Sequence, residues 1–129
     1  MFKELTISII IVIAIVVLNN VTQAYTDKSV SETTKKLEEL RDDIIKIEKE
    51  HNDIVSELND IYDKWMEYHE KLSYYIEHNE LEKAETQLTS LKGYIEMGEY
   101  NVAISELDKT IFILKRIQDK YDFALDNVF

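Results

Sequence analysis

The apolar and polar positions divide the chain into two unequal parts. Leu5 to Leu18 is apolar apart from Thr6 and Ser8 and carries no charge. As a helix this stretch spans about 21 Å, short of a hydrocarbon core of about 30 Å, whereas Phe2 to Val21 reaches spanning length. The longer stretch takes in Lys3, Glu4, Asn19 and Asn20 near its ends. The pattern predicts a transmembrane helix within residues 1–24, touching the membrane through residues 5–21. Two rivals exist. One is a secretory signal peptide, with Lys3 as its basic region and Thr22-Gln23-Ala24 as the cleavage site, which would leave a secreted soluble helical protein. The other is a buried helix of a soluble protein. Glu4 cancels Lys3, and Thr and Gln are less typical than Ala before a cut, so an uncleaved signal-anchor is the favoured reading.

Beyond the anchor, Tyr25 to Val30 is polar and poor in helix formers and reads as a linker, residues 25–30. Ser29 and Glu32 have capping-box spacing and would open a domain over residues 31–129. From there apolar residues recur at steps of three and four: Val30, Leu37, Leu40, Ile44, Ile47, Ile54, Leu58, Ile61, Trp65, Tyr68, Leu72 and Tyr75. Thr33 and His51 fill the polar places in this series, which has the seven-residue spacing of a coiled-coil-like seam. Glu50-His51-Asn52-Asp53 interrupts it, and Asn52 or Asp53 is suited to cap a new helix there.

Asn79, with Glu82 three residues on, predicts the next helix start, followed by a stripe of Leu81, Ala84, Leu88, Leu91 and Ile95. Gly98 suits a left-handed helix end. A last helix follows, with Tyr100, Ala103, Ile104, Leu107, Ile111, Leu114 and Ile117 inward. Ile111-Phe112-Ile113-Leu114 is apolar all round, which predicts packing between two neighbours. The tail is expected to dock through Phe123, Leu125 and Phe129. Tyr94, Gly98, Tyr100, Ala103 and Leu107 follow the order of a tetratricopeptide-like hairpin, of which the chain holds a single copy where arrays need about three. The expected fold is therefore all-α: an N-terminal transmembrane helix, then a small antiparallel helical bundle with a tetratricopeptide-like hairpin near the C-terminus.

Composition narrows the chemistry. The 129 residues include no proline, no cysteine and 2 glycines. That excludes disulfides, thiolate metal sites and cysteine nucleophiles, and leaves no glycine-rich phosphate loop. Lys3 and Glu4 are the sole charged side chains before Tyr25, so the whole net charge of −11 falls on the domain. Such an acidic surface argues against a nucleic-acid partner. Lys3 and the terminal amine precede the apolar segment, while Lys28, Lys35 and Lys36 follow it, so basic residues do not fix the orientation. The four-residue head and long acidic domain favour a single-pass protein of the cell membrane with its C-terminal domain outside the cytoplasm.

The histidines are His51, His69 and His78. Glu48 and His51 form one Glu-x-x-His, where a helical di-metal site needs two, plus further glutamates. Glu77, His78, Glu80 and Glu82 form an acidic cluster at an expected helix start, which the helix dipole alone favours. Tyr62, Trp65, Tyr68, Leu72 and Tyr75 make an aromatic stripe that reads as core, with a partner groove as the minority reading.

Glu77-His78-Asn79-Glu80-Leu81, Leu91-Lys92-Gly93-Tyr94-Ile95-Glu96, Ala103 with Glu106-Leu107, and Asn127-Val128-Phe129 resemble a family of small proteins of spore-forming Gram-positive bacteria. That family is known as a domain of unknown function with an N-terminal hydrophobic anchor and a helical domain. Trp65 sits where its members carry a tryptophan. Asn79 and Gln118 depart from it, standing where an acidic residue and a proline are usual. The resemblance implies an architecture and a location, and no activity.

The functional expectation is a membrane-tethered, non-catalytic structural or protein-interaction module that binds a protein partner or itself. It is not expected to be an enzyme or to hold a cofactor or metal. The candidate interaction and structural residues are Trp65, Tyr68, His78, Tyr94, Gly98 and Ala103. The alternative is a metal-binding or enzymatic helical domain built on the histidines and neighbouring glutamates.

Overall fold

A computed structural model describes residues 1–121, which form four helices: α1 (Phe2–Lys46), α2 (His51–Leu72), α3 (His78–Glu96) and α4 (Tyr100–Tyr121). The docking expected for Phe123, Leu125 and Phe129 lies outside the described residues. The C-terminal half of α1 packs against α2 and α4, α3 packs against the same two, and the diagonal pairs stay apart. The result is an antiparallel, up-down-up-down four-helix bundle, with α3 and α4 as its most extensive pair.

The core is one cluster running the length of the bundle, with Trp65 at 0% exposure among Leu37, Leu40, Leu58, Leu88 and Leu107. The predicted stripe of α3 is buried throughout: Leu81, Ala84, Leu88, Leu91 and Ile95. Of the α4 stripe, Ala103, Leu107, Leu114 and Ile117 are buried, whereas Tyr100, Ile104 and Ile111 are half-buried and Thr110 is buried in addition.

No linker separates the apolar segment from the bundle. Residues 25–30 are helical, and Thr26, Ser29 and Val30 are buried. The hydroxyls explain how a polar stretch can be buried in the bundle. Thr26 Oγ1 donates to the Thr22 carbonyl at 2.8 Å, Ser29 Oγ to Tyr25 at 2.7 Å and Thr33 Oγ1 to Ser29 at 2.7 Å. Each satisfies itself on the preceding turn and presents a small surface to the neighbouring helices. Ser29 and Glu32 therefore form no capping box, and Glu32 instead accepts a bond from Tyr68 on α2.

The apolar seam is also divided. It breaks at Ile47, in the left-handed region with φ 54°, and resumes at His51 behind an N-cap at Glu50. The break falls a few residues before the expected caps Asn52 and Asp53. Ile47 is 86% exposed instead of continuing the seam, and His51 is exposed as well. The two halves of the seam fold back on each other as α1 and α2. The helix expected to start at Asn79 starts at His78, with Glu77 as N-cap. Phe112, expected between two neighbours, is 62% exposed beneath the Arg116 guanidinium, 5.9 Å from its ring centre.

The N-terminal half of α1 projects from the bundle. Residues Phe2 to Val21 are exposed or half-exposed, and none of the most apolar window, mean hydropathy 2.4, is buried. Among the described residues this is the one helix long and apolar enough to cross a membrane. Among the described residues none packs on the segment, so the buried helix of the third reading is not seen there.

Candidate functional site

The hairpin between α3 and α4 is built as its glycine predicts. Gly98 has φ 72°, its amide donates to the Ile95 carbonyl at 3.0 Å, and the Glu99 amide donates to Tyr94 at 2.9 Å. This pair of reversed bonds is a Schellman closure, which needs a left-handed residue where Gly98 stands. Ala103, one turn into α4, is fully buried, while Tyr94 is half-buried against the core. Deeper in the hairpin, Glu106 accepts from Gln87 and Ser90 of α3 and from Lys109 on its own helix. Those donors, Gln87 first, hold its carboxyl below the usual range.

Trp65 and Tyr68 are brought together, and both are interior. Trp65 Nε1 has no hydrogen-bond partner among the described residues. Tyr68 lies edge-on to Tyr25, ring centres 6.0 Å apart, and donates its hydroxyl to the Glu32 carboxylate. Burial foremost, with the carboxylate behind it, pushes the Tyr68 hydroxyl up to about 12; the bond lowers Glu32. Tyr68 and Tyr75 of the stripe thus pack against α1, while Lys92 of α3 lies over the Tyr62 ring.

The histidines are not assembled. His51 lies at the end of the bundle far from the apolar segment, where Nδ1 meets the Tyr100 hydroxyl at 2.5 Å. His69 lies on α2 with Nδ1 unpartnered among the described residues. His78 is exposed at the opposite end from His51 and has Glu82 at 3.6 Å as its acidic neighbour. Glu48 sits in the loop before α2, so Glu-x-x-His is not a helical motif here. Among the described residues no group of three or more His, Asp or Glu side chains converges as a metal site.

Two features escape the reading of the sequence. At the far end, a cleft of about 460 Å³ lies between the α1–α2 turn and α4, lined by Ile44, Ile45, Ile47, His51, Tyr100 and Ile104. Lys49 closes its rim, bonded to Asp43 at 2.8 Å and Glu57 at 3.1 Å. Partial burial raises Glu57, whereas the Lys49 bond lowers Asp43. The polar interruption at Glu50–Asp53 was the signal for this end. The second feature lies at the opposite end. The Tyr75 hydroxyl donates to the Thr22 carbonyl at 3.0 Å and meets Thr26 Oγ1 at 2.7 Å, tying the α2–α3 turn to the root of the apolar segment. The Glu77 amide donates to the Tyr121 hydroxyl at 2.9 Å, bringing the end of α4 to the same turn.

A family model described as a domain of unknown function, DUF4363, matches residues 20–128. The chain belongs to this family. The DUF4363 match begins where the exposed apolar stretch ends, and it takes in the bundle half of α1 with α2, α3 and α4. No curated protein and no solved structure matches the chain.

Proposed function

We propose that this DUF4363 protein is a single-pass, membrane-tethered helical module that works by interaction and not by catalysis, with its acidic bundle outside the cytoplasm. The observation that carries the reading is the uncovered apolar half of α1, continuous with a helix of the bundle. The exposed sleeve from Leu5 to Leu18, about 21 Å long and extended by the flanking residues to about 30 Å over Phe2 to Val21, is unfavourable in water and matches a hydrocarbon core. Its two hydroxyls are satisfied internally, Thr6 Oγ1 on the Phe2 carbonyl at 2.8 Å and Ser8 Oγ on Glu4 at 2.9 Å. That removes the cost of unpaired polar groups in lipid.

Retention of the segment is favoured over cleavage because residues just before the candidate cut belong to the bundle. A cut after Ala24 would take away Thr22, whose carbonyl holds Tyr75. The expected outcome is full-length protein that starts at Met1 and remains in the membrane fraction through high-salt and carbonate washes. Soluble protein beginning at Tyr25 would establish the secreted alternative. Mutating His51, His69 and His78 together to alanine is expected to leave the cellular phenotype unchanged; loss of phenotype with unchanged stability would replace the interaction reading with a metal or enzymatic one.

A further inference from the structure

We propose that the α2–α3 turn, led by Tyr74, forms a second and shallower membrane contact, resting in the headgroup layer of the same bilayer that holds the N-terminal half of α1. The inference rests on the anchor reading and adds to it a surface of the bundle.

Tyr75 bonds to Thr22 and Thr26, and α1 is unbroken through these residues. At 1.5 Å per residue they stand about 2–8 Å beyond Val21, the last exposed apolar residue of the segment. The headgroup layer on each side of a bilayer is about 5–8 Å thick. With Phe2–Val21 spanning the hydrocarbon, the tied turn has no other height available.

A second observation is the side chain found there. Tyr74 is 84% exposed, whereas the other tyrosines, Tyr25, Tyr62, Tyr68, Tyr75, Tyr94, Tyr100 and Tyr121, are buried or half-buried. The single fully exposed tyrosine thus lies beside the root of the apolar helix. A phenol ring with an apolar body and a polar tip is favoured at the membrane–water interface. Around it, Ser73, Glu77, His78 and Asn79 are exposed and polar, which fits headgroups and excludes deeper burial. Local charge is compensated: Lys120 lies 3.6 Å from Glu77 and 3.2 Å from Glu80, while Lys71 lies over the Tyr25 ring. The contact therefore needs no anionic lipid, which the acidic domain would repel.

The test uses the full-length protein in phosphatidylcholine vesicles, with nitroxide-labelled lipid carrying the quencher near the headgroup. Tyr74→Trp is compared with Met97→Trp at the opposite, likewise exposed end of the bundle. Trp65 supplies the same buried background in both. The expected result is that the added emission of Tyr74→Trp is blue-shifted and at least about twofold more quenched than that of Met97→Trp, as for an indole at the interface. Equal, weak quenching in protein that floats with the vesicles overturns the inference and leaves the anchor intact. Protein that fails to float overturns both.

Discussion

The Tyr68 hydroxyl donates to the Glu32 carboxylate, joining the C-terminal end of α2 to α1 seven residues after the Tyr25 ring that Tyr68 meets edge-on. One side chain thereby fixes both the spacing and the register of the two helices. It also makes their pairing sensitive to pH from both sides.

Glu32 is lowered, chiefly by the Tyr68 bond, so it contributes stability above the ordinary carboxylate range that is lost as pH falls through its folded value. Tyr68 is raised to about 12, so its contribution is complete below its unfolded value of about 10 and disappears as pH rises through about 12. Tyr68→Phe is expected to be less stable than the parent at pH 7. The gap should narrow in acid and again in strong alkali. Thermal melts of the full chain in detergent at three pH values check this, and a gap independent of pH would refute the coupling.

Trp65 is the largest fully buried side chain, with no exposed surface to offer a partner. Trp65→Ala is expected to cost about 3–5 kcal/mol through lost burial and a residual cavity. A change within about 0.5 kcal/mol, the range of surface substitutions, would contradict its interior placement. Denaturant titration followed by circular dichroism distinguishes the two.

At the α3–α4 hairpin the strain of a substitution comes from the backbone alone. A Cβ on Gly98 would meet no atom within 4 Å, but φ is 72°. Gly98→Val should therefore destabilise by about 1–2 kcal/mol. Ala103→Leu is expected to cost about 1–3 kcal/mol by a different route, overpacking beneath α3. The measurement is the melting shift of each variant, and Gly98→Asn, better tolerated in the left-handed region, should lie between the parent and Gly98→Val.

Ile47 predicts a gain. It holds a β-branched side chain in the left-handed region while remaining 86% exposed, so the conformation is strained and the side chain buries little in return. Ile47→Gly is expected to stabilise the bundle by about 0.5–1 kcal/mol, the relief of strain exceeding the added freedom of the unfolded chain. A loss of stability would mean that Ile47 contributes packing to the cleft it borders.

The same residues show what could be read from the chain. The core of α3 and α4 was legible because Leu81 to Ile95 and Ala103 to Ile117 keep helical spacing, and Gly98 marks a turn that demands its conformation. The α1–α2 turn was displaced because isoleucine carries no signal for a left-handed helix end. At residues 25–30 packing against the neighbouring helices overrides the low helix preference of Thr and Ser, and the bonds of Thr26 and Ser29 to carbonyls one turn back satisfy the hydroxyls that this packing buries. The far cleft and the Tyr75 tie depend on contacts between residues about fifty positions apart, which periodicity does not register.

The unbroken α1 makes the proposed anchor and the bundle a single lever. From Val21 to Lys46 the helix runs about 37 Å, so a tilt of about 20° in the bilayer carries the α1–α2 turn sideways by about 13 Å. With no joint at residues 25–30 to absorb the rotation, a change in membrane thickness that alters the tilt would be delivered, magnified, to the cleft beside Ile47. A protein bound there would sense the bilayer without touching it.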